Sequence, residues 1–218
     1  MNFDWIAIYH SLPSLAVGAQ TTVWLTTISV AGGLAIGILF GVLRAYAPWY
    51  VSAVIRLYVG LIRGTPMVVQ VMFIYFALPL FSGFKIPAIA AGIIALVINS
   101  SAYLTETVRG GLESVPKGMM EAGMAMGLST PKTITNIIIP IAFRRMIPSL
   151  GNQLIITLKD TSILIIIGVA ELTRTGQEIM TENYKAVEIW AAVALIYLLL
   201  VSILSFALQT IEKRLGTA

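Results

Sequence analysis

Four stretches of this chain contain no Asp, Glu, Lys or Arg at all: 5–43, 64–84, 86–105 and 189–211. A helix needs about 20 apolar residues to cross a bilayer, and each stretch reaches that length. A fifth apolar run lies between Lys132 and Glu171, broken only by Arg144, Arg145 and the adjacent pair Lys159 and Asp160. Five transmembrane helices are therefore expected, in an all-α membrane protein. Composition agrees: 11% of residues are charged, against about 25% in soluble domains, and the mean hydropathy is +0.91.

The first crossing is expected over about Thr21 to Arg44, with Pro48 ending it. The second, from about Val51 to Phe81, would be roughly 45 Å long, too long for a core of about 30 Å unless interrupted. Arg63–Gly64–Thr65–Pro66 marks the interruption, with Thr65 as a cap and Pro66 at a first helical position. The third crossing spans about Pro87 to Val108 and stops at Gly110–Gly111. A polar stretch, Leu112 to Thr133, follows. The fourth runs from about Ile134 through Ile167, disturbed by Pro140 and Pro148. Residues 171–188 are expected as a charged loop, and the fifth crossing covers Ile189 to Ile211. One transmembrane domain over 1–218 is expected, with no second domain.

Lys and Arg accumulate in cytoplasmic loops. With the C-terminus inside, that side holds Arg44, Arg109, Lys117, Lys132, Arg144, Arg145, Lys213 and Arg214. The other holds Lys85, Arg174 and Lys185. This bias puts the N-terminus outside and 112–133 in the cytoplasm. The start, "MNFDWIAIYHSL", has no basic leader before its first apolar run, so no cleavable signal is expected. The absence of cysteine excludes disulfides and Cys-based metal sites, and His10 is the sole histidine. No metal site is expected. The scattered basic residues do not form a nucleic-acid-binding stripe.

The cytoplasmic stretch reads "ESVPKGMMEAGMAMGLSTPKTITNIIIP". Ser114 is a candidate cap for a short helix over Lys117 to Leu128. Met119, Met120, Met124 and Met126 surround Glu121, with small residues between them. An exposed Met-rich helix suits docking to a partner protein, or lying against lipid headgroups. Glu121–Ala122–Gly123, then Gly127, then Ile139–Pro140 resembles the EAA loop of ABC importer permeases, with Gly123 and Ile139 as departures. "LIRGTPMVVQVMFIYFALP", "SAYLTETVRGGLESVPKG" and "LKDTS" resemble the polar amino-acid uptake branch, in the same order.

That resemblance implies a type I importer permease fold with a coupling helix. Gly118, Met119, Glu121, Ala122, Gly123 and Gly127 would then serve ATPase coupling. The implied partners are an ATP-binding cassette ATPase subunit carrying ATP and magnesium, and a second permease subunit, expected as a copy of this chain. An extracytoplasmic amino-acid-binding protein, the amino acid itself and membrane lipid complete the set. The bacterial inner membrane is the implied location. The chain has no Gly-Lys dipeptide, hence no Walker A loop, and no cofactor of its own is expected.

"ITLKDTSILIII" interrupts the fourth crossing. Asp160, Thr161 and Ser162 are cap types, so a half-helix starting near Ser162 is expected, its end aimed at substrate. Asp160 and Glu106 are the candidate acceptors for a substrate ammonium. Asn99 and Tyr103 share a helix face with Glu106; Asn152, Gln153 and Thr157 lead toward Asp160. With Thr65, Thr161 and Ser162, these would line one polar pocket for a polar or basic amino acid. Structural alternatives stand beside each: a Lys159–Asp160 pair or simple cap, Glu106 paired with Arg109 or Arg63, and the amides as interhelical glue. An ion-coupled secondary transporter is the competing function. It is disfavoured because five crossings show no inverted repeat and the inner loop looks built for docking. A membrane enzyme lacks the clustered nucleophiles and ligands it would need.

Overall fold

The computed structural model describes residues 3–215, and every regular element among them is helical. α1 (Trp5–Tyr46) is followed by α2 (Trp49–Arg63) and α3 (Met67–Ser82), whose axes bend by 101°. Then come α4 (Ala88–Glu113), the short α5 (Lys117–Ala125), α6 (Thr130–Ile167), α7 (Leu172–Asn183) and α8 (Ala186–Leu215). α1, α4, α6 and α8 are each long and apolar enough to span a membrane, and the bent α2–α3 pair makes the fifth crossing.

α1 runs for 42 residues, about 63 Å at 1.5 Å per residue. It starts well before the expected Thr21. Asp4 caps it, its Oδ1 accepting from the N–H groups of Ile6 and Ala7. Its first half passes Pro13 without stopping and packs Leu15 against Leu172, Ile189 and Val193 of α7 and α8. Its second half meets α4 along Gly33, Gly37 and Gly41, one residue per turn on one face. A Cβ on these would stand 2.7 Å from Ser100 Cβ, 2.6 Å from Leu104 Cβ and 2.5 Å from Val108 Cβ. Only glycine allows the two backbones this close.

Two prolines shape the other spans. Pro79 and Pro140 lack the N–H that a helix requires, and their rings crowd the carbonyls of Tyr75 and Asn136. Both carbonyls lie inside widened π turns, Phe73–Ala77 and Ile134–Ile138. The chain absorbs each proline without breaking the span.

The expected break near Ser162 is absent. α6 stays α-helical to Asp160 and tightens into a 3₁₀ turn over Thr161–Ile167. The Thr161 and Ser162 hydroxyls donate back to the carbonyls of Leu158 and Lys159, both at 2.7 Å, instead of capping a new helix. The span stops at Gly168, whose φ of 77° is left-handed. Ser114 likewise does not start α5. It is the C-cap of α4, and Pro116 occupies the position before α5.

The segment 171–188, expected as a charged loop, contains the 12-residue α7. Glu171 is fully buried at its N-cap. Its carboxylate accepts from the N–H groups of Thr173 (3.0 Å) and Arg174 (2.8 Å) and from the Tyr197 hydroxyl of α8 (2.9 Å). Burial pushes the Glu171 carboxyl above the usual carboxylate range, and the donated hydrogen bonds oppose that rise. The Leu172 N–H donates to Thr22 Oγ1 at 3.2 Å, so α7 is clamped between α1 and α8.

The helix order gives the bundle two ends. Asp4, Gly83 and α7 lie at one, the α7 end. The 47–48 turn, α5 and Leu215 lie at the other, the α5 end.

Gly37→Leu should lower the thermal midpoint of the detergent-solubilised protein, by the equivalent of about 1–3 kcal/mol expected of overpacking. Gly60→Ala is the control, because a Cβ at Gly60 meets nothing within 4 Å. Equal midpoints for Gly37→Leu and the parent chain would remove the glycine interlock as a determinant.

Candidate functional site

The α2–α3 break opens two carbonyls, and one side chain closes them. Gln70 Nε2 donates to Ile62 O (2.7 Å), Thr65 O (3.1 Å) and Thr65 Oγ1 (3.0 Å). Gln70 Oε1 accepts from Asn99 Nδ2 of α4 at 3.1 Å. Thr65, expected to cap α3, instead donates its hydroxyl to Leu61 O at 2.9 Å, and Pro66 precedes α3. The Arg63 guanidinium sits 5.2 Å from the centre of the Tyr103 ring. Tyr58 completes the seam, its hydroxyl donating to Ile98 O at 3.0 Å. Thr65 and Tyr103 are exposed on the flank of the break.

A second polar group joins α4 to α6. Thr157 Oγ1 lies 3.1 Å from Ser100 Oγ and donates to Gln153 O at 2.9 Å. Both Gln153 and Thr157 are buried, whereas Asn152 is exposed. This group holds helices together in the manner of interhelical glue.

Glu106 belongs to a third group nearer the α5 end. It pairs with Arg44 of α1 and, at 2.9 Å, with Arg109, which also pairs with Glu113. Of the partners expected for it, Arg109 is present and Arg63 is not. Arg44 is the partner the sequence did not suggest. This carboxylate is already neutralised.

Asp160 differs. It is half-buried and makes no hydrogen bond or ion pair among the described residues, with Lys159 exposed beside it. The packing register separates the two acids. Gly92 faces Leu164, Ser100 faces Thr157 and Gly111 faces Met146. Asp160 therefore lies on the α7 side of the Ser100–Thr157 contact, and Glu106 six residues to its other side. The axial separation is about 14 Å. Within one chain the ten expected residues form no single pocket. Thr65, Asn99 and Tyr103 gather at the break, Gln153 and Thr157 inside the α4–α6 seam, Asp160, Thr161 and Ser162 toward the α7 end.

α5 forms the expected short helix at the end of the bundle. Gly118, Met119, Glu121, Ala122, Met124 and Met126 are exposed, Met126 by 80%. Met120 turns inward onto the cluster containing Val108, Val115 and Ile138. Gly123 is buried against α6, where a Cβ would stand 2.5 Å from Thr133 Cγ2. The departure from alanine at this position thus follows from close packing. Gly127 adopts φ 83°, the left-handed turn that ends the knob.

Gln70 and Glu171 were missed from sequence. Gln70 was legible as the lone amide of a charge-free span. Glu171 was legible as a cap followed by Leu172, Gly176, Ile179 and Met180 at helical spacing.

Comparison with known proteins places this geometry. The family model for the binding-protein-dependent transport system inner membrane component matches residues 33–217. The glutamine transport system permease protein GlnP of Escherichia coli K12 is 50% identical over 216 residues, covering 99% of both chains. The arginine transport system permease protein ArtQ of Bacillus subtilis is 32% identical, covering 99% of this chain and 98% of its own. A crystal structure of an amino acid ABC transporter with histidines superposes with a TM-score of 0.92 at 34% identity, covering 98% of this chain and 100% of that one. The ion-coupled alternative finds no support among them. The chain belongs to the binding-protein-dependent transport system inner membrane component family, as the multi-pass permease subunit of an amino-acid ABC importer whose ATP hydrolysis falls to a separate subunit.

Proposed function

We propose that the amino acid carried is glutamine. One observation carries this: the glutamine permease matches 50% of residues across the full length, while the arginine permease matches 32% over the same span. Glutamine has a carboxylate, an ammonium and a neutral amide, so its side chain needs no counter-charge. A pathway with a single unpaired acid, Asp160, suits the substrate ammonium. Tyr103, Thr65 and Asn152 offer exposed polar contacts along the way. Asn99, Gln153 and Thr157 are bonded to neighbours and support the wall, as do Thr161 and Ser162. Glu106 braces α1 against α4 and makes no substrate contact.

The pathway forms between this chain and a second copy of it. An ATPase subunit carrying ATP and magnesium receives α5 in a cleft, through exposed Met119, Glu121 and Met124. An amino-acid-binding protein delivers substrate at the α7 end, which lies outside together with the N-terminus. Support for this orientation comes from charge. Arg44, Arg109, Lys117, Lys132, Arg144, Arg145, Lys213 and Arg214 all fall at the α5 end, and Lys85, Arg174 and Lys185 at the other.

Cells lacking their own glutamine uptake, supplied with this subunit and its ATPase and binding protein, should accumulate labelled glutamine. A hundredfold excess of unlabelled arginine should leave that uptake largely intact. Uptake of arginine in preference to glutamine would overturn the substrate assignment.

Asp160→Ala should cut glutamine uptake about tenfold or more, from loss of a charge-assisted contact, while the ATPase still co-purifies. Glu121→Lys should do the converse, releasing the ATPase from the purified complex. Normal uptake by either variant would remove the corresponding role.

The natural chain has no cysteine, so single cysteines report sidedness directly. In intact cells a membrane-impermeant maleimide should label Glu182→Cys and spare Lys117→Cys. The opposite pattern would reverse the orientation.

A further inference from the structure

α6 carries one lysine deep inside its span. The register that sets Gly92 against Leu164 and Ser100 against Thr157 puts Lys159 level with Ile98 of α4. Ile98 is ten residues from Ala88, where α4 begins, and eight from Glu106, the first charge toward its other end. Those are about 15 Å and about 12 Å of helix, too deep for a lysine stem to carry its ammonium to either surface. The Lys159 ammonium makes no hydrogen bond or ion pair among the described residues, although Asp160 adjoins it. Consecutive helical positions point about 100° apart. Lys159, Ile156 and Asn152 are exposed on successive turns of one face. An ammonium and an amide at this depth front a watered cavity or a partner, not lipid tails. In the proposed route that face looks toward the second copy.

We propose that Lys159 binds the α-carboxylate of the transported amino acid while Asp160 holds its ammonium. This rests on the assignment of Asp160 to the substrate ammonium, and not on which amino acid is carried. An amino acid bears both charges on one carbon, so the groups that receive them must be neighbours. Lys159 and Asp160 are three and four residues past Ile156, and both border its exposed face.

Other sources of positive charge are less well placed. A half-helix N-terminus near Ser162 would have served, but α6 runs on as a 3₁₀ turn to Ile167 and no such end exists. Arg63 sits over the Tyr103 ring. By the same register Tyr103 lies six residues beyond the level of Asp160, about 9 Å along the bundle. That is too far for two groups that grip one carbon. Lys85 precedes Ala88, and Arg56 stands near Arg44 toward the α5 end.

Calorimetric titration of the detergent-purified complex with its ATPase, in the absence of binding protein, tests the site. Two ligands are compared: glutamine, and its α-amide, in which a neutral carboxamide replaces the carboxylate. The parent should bind glutamine about tenfold or more tighter than the α-amide, as expected of one charge-assisted contact. Lys159→Gln should bind glutamine about tenfold weaker and hold the two ligands alike, and Lys159→Arg should restore the preference. Arg63→Gln should keep it. A preference retained by Lys159→Gln, lost instead in Arg63→Gln, or absent from the parent would overturn the proposal. So would a lower thermal midpoint of ligand-free Lys159→Gln, because the lysine would then be pairing with an acid of the second copy. Unchanged glutamine binding by Asp160→Ala would instead sink the assignment of Asp160 on which the proposal stands. If uptake shows arginine to be the substrate, arginine and its α-amide replace the glutamine pair, and the same outcomes decide.

Discussion

Within hydrocarbon, two helices gain nothing from burying leucine against leucine, since lipid tails are equally apolar. Closeness must supply the attraction. In this bundle it does so where Gly33, Gly37 and Gly41 let α1 lie on Ser100, Leu104 and Val108 of α4. That contact fixes two long-range relationships in the molecule. It holds the long first helix so that its early half can pack on α7 and α8. It also brings Arg44 to Glu106, giving an acid among the spans a second cation beside Arg109. The remaining faces of α4 are then free to receive Gln70 from α3 through Asn99, and Thr157 from α6 through Ser100. α4 is the hub because α1 approaches it so closely.

Polar groups in these spans follow one pattern: nearly all are consumed locally. Carbonyls loosened by prolines sit inside π turns, those opened by the α2–α3 break are taken by Gln70, and hydroxyls of Thr157, Thr161 and Ser162 bond back into their own helix. Asp160 stands apart from this economy: it is half-buried beside Lys159, and its carboxylate makes no hydrogen bond or salt bridge among the described residues. The buried exceptions among the described residues are Ser29 Oγ and Arg44 Nε, which find no partner.

The spans and the α5 knob were legible in sequence because hydrophobic length and exposed methionine at small-residue spacing act locally. The chain break at Arg63–Gly64–Thr65–Pro66 was legible for the same reason: proline and glycine act on their own backbone. Illegible were the features decided by a distant neighbour. Asp160, Thr161 and Ser162 have strong cap chemistry, yet in the packed helix the Thr161 and Ser162 hydroxyls bond backward and the turn carries on to Gly168. Glu171 looked like loop charge because nothing near it announces Tyr197, 26 residues on, as its partner. For Glu106 the helix spacing suggests Arg109 or Arg63, and Arg109 is indeed a partner. Arg44, 62 residues away, is visible only once the glycine interlock is built. Glycine spacing in α1 was present in the sequence, but its meaning depends on what lies opposite.

The distribution of stiff and soft joints bears on how force entering at α5 would travel. α5 is seated on α6 by Gly123 against Thr133 and Ile137, and Met120 packs onto residues of both α4 and α6. Arg145 ties α6 to the end of α4, and Met146 fills the space beside Gly111. A push on α5 would therefore move the bases of α4 and α6 together, and α1 with them. The α2–α3 break is different. Across 101° of bend it is held to α4 by the Asn99–Gln70 hydrogen bond, by the Tyr58 hydroxyl donating to Ile98 O, and by Ile55 and Val59 packed with Ala102. If α5 receives force from the ATPase, α1, α4 and α6 should therefore move as one body. The joint carries exposed Thr65 and the Arg63–Tyr103 contact beside it. The chain's sharpest bend and a polar surface thus coincide at Arg63, Thr65 and Tyr103.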